Sequence, residues 1–270
     1  MEIANVPLLA ATIACLSVVE IAKTIRWRMT LGDAAPSWIV CLRALLIGQA
    51  VNALLPIRGG EAARLAIISA AGAPPAVGIA SIAAVKAIDA ICLATIAVAV
   101  VGTVVIGERI ATIGASVLAI GVFAALAVGG DRARALIRRV PLVGRLGIDR
   151  IVEMTGSMRG VRLAVILVAT IAVWLAGASA NALVLAASGI APSVGLSAAM
   201  LVGAYVSGIL PAPPGRLGVF EAGIVAPLVA GGVDPGDALR ASLTLHACLL
   251  VELGFLYCAS LVARRAWLQR

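Results

Sequence analysis

Aromatic residues make up only 3% of this chain and charged residues only 13%. A soluble domain carries roughly 25% charged residues. That scarcity, with 62% hydrophobic residues and a mean hydropathy of +1.12, excludes an ordinary soluble enzyme. There is one histidine, His246, with no cysteine or histidine at ligand spacing, so no metal site is expected. The five cysteines (Cys15, Cys41, Cys92, Cys248 and Cys258) form no CxxC pair and fall in or beside apolar runs, where they read as free thiols. The chain has no P-loop, GxSxG, HExxH or Asp-x-Asp sugar-nucleotide signature, and no cofactor is expected. The net charge of +8 does not imply nucleic acid, because the basic residues flank apolar runs and aromatics for base stacking are few.

Long apolar runs fill the rest, at about 3–22, 37–56, 76–106, 110–129, 163–187, 194–212 and 237–262. Each approaches or exceeds the ~20 residues that a spanning helix needs. Two shorter stretches, about 61–73 and 217–232, read as re-entrant half-helices. The expected fold is an all-α polytopic membrane protein with about seven transmembrane helices, two half-helices and an internal two-fold repeat. It forms one integral membrane domain over 1–270. The first run has no basic leader and no cleavage site, so it reads as a retained helix. Lys23, Arg26, Trp27 and Arg28 read as a basic and aromatic anchor at a cytoplasmic interface, and Arg264, Arg265, Trp267 and Arg270 as a second. The stretch 131–162 carries eight arginines and reads as a basic amphipathic loop on the membrane. Seven plain crossings would put that loop outside, against the positive-inside rule. Either the loop is an exception or one half-helix contributes a crossing.

Within this hydrophobic chain a proline-broken, charged motif occurs twice. The first copy runs from Gly48 through Asn52, Pro56, Arg58, Gly59, Gly60 and Glu61 to Arg64. The second runs from Gly203 through Ser207, Pro211, Pro213, Pro214, Gly215, Arg216 and Gly218 to Glu221. Gly48 and Gly203 are 155 positions apart, as are Pro56 and Pro211. After a five-residue insertion the offset is 160, so Glu61 meets Glu221, Pro75 meets Pro235 and Lys86 meets His246. Repeat 1 covers about 37–106 and repeat 2 about 194–262. An unpaired backbone polar group in hydrocarbon costs several kcal/mol. Broken helices are therefore tolerated where they line a wet cavity or are buried in protein, and paired breaks in two halves point to a transport site.

The charged residues around the breaks are the candidate site. Arg58, Arg64 and Arg216 offer planar guanidinium forks that suit a phosphate. Glu61 and Arg64, like Lys86 and Asp89, are three apart and can pair on one helix face. Glu221 and His246 belong to the second cluster, with Arg240 and Glu252. Glu252 reads as a buried carboxylate with a partner. Asn52, Gln49 and Ser207 can satisfy backbone groups freed by the breaks, and Asn52 joins the headgroup candidates. Pro56, Gly59, Gly60, Pro211, Pro213, Pro214, Gly215 and Gly218 are the expected breaks. Asn181 and Trp174 read as packing or interhelix hydrogen bonding.

The run Asn52-x-x-Leu55-Pro56-x-Arg58-x-Gly60-Glu61-x-x-Arg64 resembles a signature of the lysylphosphatidylglycerol synthetase transmembrane region, a family of flippase-like integral membrane proteins. Leu210-Pro211-x-Pro213-x-Gly215-x-x-Gly218-x-x-Glu221-Ala222 resembles its second signature, and Arg26-Trp27-Arg28 also fits. Coverage runs from about Ala10 to Val262. Val85 and His246 depart from the pattern, which often has Glu and Arg there, and one N-terminal helix of many relatives is expected to be lacking. The resemblance implies movement of a polar phospholipid, aminoacyl lipid or glycolipid between leaflets of a bacterial plasma (inner) membrane. The expected partners are membrane lipids, anionic or aminoacylated, and a lipid-modifying enzyme. Synthetase activity is not expected, because the chain stops at Arg270 without an aminoacyl-transferase domain. A membrane-embedded enzyme, or a scaffold for a lipid-modifying transferase, is the alternative.

Overall fold

The computed structural model describes the backbone of residues 5–55, 59–106 and 161–268, and side chains within 5–55, 59–100 and 161–262. The apolar run at 110–129, most of the basic loop at 131–162, and Pro56 and Arg58 lie outside the described residues, as does the side chain of Arg264. Among the described residues every regular element is helical. The helices are α1 (Val6–Leu31), α2 (Trp38–Leu54), α3 (Gly60–Ala70), α4 (Pro75–Ile106), α5 (Val161–Ala187), α6 (Val194–Ser207), α7 (Val219–Ala230) and α8 (Pro235–Leu268).

Four of them are long and apolar enough to cross a membrane: Val6–Ala34, Pro75–Val100, Val161–Ala187 and Pro235–Val262. Two more, α2 and α6, are apolar but shorter. The protein is thus an integral membrane protein by length and composition. Val168, Leu175, Leu250 and Phe255 are exposed on its outside. Helices apolar all round belong in lipid or a deep core.

Local chemistry sets the helix ends. Pro75 and Pro235 open α4 and α8 at the first helical position, where no backbone N–H is needed. Ser193 caps α6, its hydroxyl accepting from Leu196 N at 3.1 Å. Behind α3 and α7 the chain turns in the same way. Gly72 and Gly232 take positive φ, Ala73 N reaches Ile68 O, and Val233 N reaches Leu228 O.

Among the described residues, α1 packs most extensively along α5. Val19, Ala22, Ile88, Trp174 and Leu201 fill the centre between α1, α4, α5 and α6. One flanking core gathers Trp27, Leu45, Ile68 and Val85 around α2 and α3, and another gathers Met200, Phe220, Ile224 and Leu245 around α6 and α7. The short helices cross their neighbours backbone to backbone. A Cβ on Gly60 would overlap Gly48 O, and one on Gly203 would overlap Gly223 O. Small residues at such crossings are how helices approach closely in lipid.

Candidate functional site

Two interruptions shape the site. α2 stops at Leu54 and α3 starts at Gly60; α6 stops at Ser207 and α7 starts at Val219. Between α6 and α7 only the 3-10 turn Pro214–Arg216 is regular. Here Gly215, Arg216 and Gly218 all have positive φ, at 76°, 56° and 82°. For arginine that conformation is uncommon and strained. Gly59, by contrast, has an ordinary φ of −91°, so its place at the start of α3 does not use glycine's freedom.

The two breaks line one open cavity. Asn52, Leu55, Glu61 and Lys86 come from the first motif and its following helix; Gly208, Leu210, Pro211, Ala212 and Arg216 come from the second. Segments some 155 positions apart in the chain therefore share a wall. Lys86 Nζ lies 2.6 Å from Glu61 Oε1, with the lysine side chain 58% exposed. Asn52 Oδ1 accepts from Gly60 N at 2.8 Å and so satisfies a free N–H at the start of α3. Arg216 Nη2 donates to Ser207 Oγ at 2.9 Å, and the guanidinium lies 5.3 Å from the Phe220 ring centre. The cavity thus presents two cations, one carboxylate and an amide, with apolar Leu55 and Leu210 beside them.

Other candidates sit elsewhere. Glu221 is turned inward: its Oε1 lies 2.6 Å from His246 Nδ1, and its Oε2 accepts from Gly218 N at 2.6 Å. Phe220 packs on the His246 ring at 4.6 Å. Arg64 does not line the cavity; its guanidinium lies 4.3 Å over the Trp27 ring. Lys86 and Asp89 share a helix face but do not pair. Lys86 reaches across to Glu61, while Asp89 takes both terminal nitrogens of Arg26, at 2.7 and 2.9 Å. The α3–α4 and α1–α4 contacts give the two residues different neighbours. Arg240 pairs with Asp237 one turn away, on an exposed face.

The anchor reading of α1 is corrected. Arg26 and Trp27 are both fully buried, and the Trp27 indole N–H donates to Ser81 Oγ at 3.0 Å. Both pack inside the bundle and face neither lipid nor solvent. α1 runs on to Leu31, so its charged stretch still faces the bundle. Glu20 is a residue the sequence reading overlooked. It is buried, binds Lys23 at 2.8 Å and accepts from the Gln49 amide. Its spacing to Lys23, Thr24 and Trp27 was the available signal of one polar face on α1. Glu252 is also buried, but its Oε1 has no hydrogen-bond partner among the described residues, contrary to the expected pairing. Asn181 donates to Ser197 O at 3.0 Å and Trp174 stacks on Tyr205, both as interhelix contacts. Cys15, Cys41, Cys92, Cys248 and Cys258 are free thiols.

An all-helical membrane bundle with a charged internal cavity at paired helix breaks defines a class of integral membrane proteins. The chain belongs to the lysylphosphatidylglycerol synthase transmembrane-region family, which matches residues 2–254. That membership ties it to membrane lipid handling. No curated protein and no solved structure matches it significantly.

Proposed function

We propose that this protein is a lipid translocator of the plasma (inner) membrane of a bacterium, acting as a transporter and not as an enzyme. It passes the polar headgroup of a phospholipid, aminoacyl lipid or glycolipid between leaflets while the acyl tails stay in lipid. The observation that carries this reading is the cavity shared by the two breaks, with Glu61, Lys86 and Arg216 on its wall. A charged headgroup cannot cross hydrocarbon bare, and a wet cleft with donors and an acceptor replaces its hydration. Arg216 and Lys86 suit a phosphate; Glu61 and Asn52 suit an amine or hydroxyl beside it. Arg58 belongs to the same motif and is proposed as a second guanidinium donor. Arg216 keeps a strained backbone conformation, which fits a side chain retained for binding.

In the same reading the protein is one integral membrane domain whose halves are copies, and α3 and α7 are re-entrant. The helix lengths support this: 26, 17, 11 and 32 residues in the first half, and 27, 14, 12 and 34 in the second. The side-chain contacts Glu61–Lys86 and Glu221–His246 also fall at the same offset of 160. α2 packs on α8 as α6 packs on α4.

The test is interleaflet exchange in liposomes containing the purified chain, using fluorescent lipids with anionic, aminoacylated and glycosyl headgroups. Acceleration for one or more of them is expected. Equal rates with and without protein across the whole panel would overturn the reading. Mass spectrometry of copurifying lipid then names the headgroup.

A further inference from the structure

A second charged site lies away from the cavity, where α1 meets α8. Glu252 sits on α8 among Leu249, Leu250, Val251 and Leu253, and only 2% of it is exposed. One of its carboxyl oxygens is fully buried with no hydrogen-bond partner among the described residues. α1 packs on α8, with Leu16 against Cys248 and Leu249, and carries the charged residues Glu20 and Lys23. Glu20 is itself 5% exposed and already uses one oxygen for Lys23 and the other for the Gln49 amide. The lysine charge is therefore engaged before Glu252 can claim it. Among the described residues, no hydrogen bond or ion pair joins Glu252 to a cation on another helix packed on α8. α2 contributes Gln49, and its one charged residue is Arg43. The only charged residue of α5 is Arg162, which is held by Asp33. α7 carries Glu221, already bound to His246 on α8 itself.

Two carboxylates facing one ammonium leave a net negative charge in the interior of the bundle. Burying an unpaired charge there is expensive, and a carboxyl group removes the cost by taking up a proton. We propose that Glu252, backed by Glu20 and Lys23, is a proton-binding site in the membrane interior. None of its residues lines the cavity. Proton release at Glu252 places a second negative charge at the α1–α8 contact, opposite the Glu20–Lys23 pair, and proton uptake removes it. The α1–α8 contact is thus where a proton gradient can act on the bundle. The proposal goes beyond lipid translocation and does not depend on it.

A hydrophobic carbodiimide tests it on the unaltered protein, because the reagent adds to protonated carboxyl groups in apolar surroundings. The full chain in lipid nanodiscs is labelled from acid to alkaline pH, with and without sodium, and labelled peptides are identified by mass spectrometry. Modification of Glu252 at neutral pH is expected, with Glu61 and Glu221 unlabelled because Lys86 holds the first and Gly218 N and His246 Nδ1 hold the second. Labelling of Glu252 should fall about tenfold per pH unit above its midpoint. Glu20→Gln leaves Lys23 free to meet Glu252, and should reduce labelling at neutral pH several-fold. Glu252 left unlabelled, labelled independently of pH, or protected by sodium at constant pH would overturn the proposal. Lipid exchange is not part of this readout, so the proton site and the translocation reading can fail separately.

Discussion

Arg26 and Asp89 meet fork to carboxylate, at 2.7 and 2.9 Å, and tie α1 to α4 across 63 residues of sequence. The arginine side chain is wholly buried, whereas the aspartate keeps some exposure. Removing one partner of a buried pair leaves an uncompensated charge and costs about 3–5 kcal/mol, whereas replacing both is often neutral. Arg26→Met should therefore lower the unfolding temperature markedly. Arg26→Met with Asp89→Leu should recover most of the loss. Thermal unfolding in detergent checks this. A loss in the double variant equal to the sum of the Arg26→Met and Asp89→Leu losses would mean the two residues are not coupled. Asp89 would then return to the pool of headgroup candidates, from which this geometry withdraws it.

Glu61 and Lys86 behave differently because they stand at the cavity. The pair is short, at 2.6 Å, yet the lysine is more than half exposed. An ion pair open to water contributes only about 0–1 kcal/mol. Lys86→Gln should thus change stability by less than about 1 kcal/mol and still slow lipid exchange, because it removes a cation from the cavity wall. The split between unfolding temperature and exchange rate is the measurement. Exchange at the wild-type rate in a folded Lys86→Gln would take Lys86 out of the site.

The interruption between α6 and α7 has a local cause, the run Pro211, Pro213, Pro214 and Gly215. Proline has no N–H to donate and its ring clashes with the preceding turn, in lipid as in water. The offset of 160 that aligns Glu61 with Glu221 also aligns Lys86 with His246, and both pairs exist as contacts. Partners further apart were not legible. Spacing on one helix pointed Lys86 at Asp89, but the packing of α4 on α3 and α1 sends them to Glu61 and Arg26. A helix apolar on every side carries no periodic signal of which face is inward. The burial of Arg26 and Trp27 was hidden for a related reason. A basic and aromatic cluster at the end of an apolar run has the composition of an interface, and only packing distinguishes a buried cluster from an exposed one.

The glycine crossings predict a sharp contrast. A Cβ on Gly203 would overlap the Gly223 carbonyl, which is backbone and cannot rotate away. Gly254, on α8, has nothing within 4 Å of its virtual Cβ. Overpacking typically costs about 1–3 kcal/mol, and more where backbone must move. Gly203→Ala should lose at least that much or fail to fold, whereas Gly254→Ala should be neutral or slightly stabilising, since alanine is the better helix former. Unfolding temperatures and yield of monodisperse protein decide it. A Gly203→Ala protein as stable as the wild type would mean that α6 and α7 do not cross this closely.

Arg216 allows binding and stability to be separated at one position. Its φ of 56° is costly for any residue with a Cβ, by about 1–2 kcal/mol, and costs glycine nothing. Its guanidinium donates to Ser207 Oγ and lies beside Phe220. Arg216→Gly relieves the backbone strain and loses those contacts, so the net change in stability should stay within about 1 kcal/mol. Lipid exchange should suffer far more. A hydrogen bond to a charged group contributes about 1.5–3 kcal/mol, so losing one headgroup contact slows exchange about ten- to a hundredfold. Arg216→Lys keeps the charge but not the planar fork, and its rate should fall between the two. Wild-type exchange by Arg216→Gly would remove Arg216 from the headgroup site. A rate for Arg216→Lys equal to wild type, with Arg216→Gly impaired, would show that the position supplies charge and not a fork.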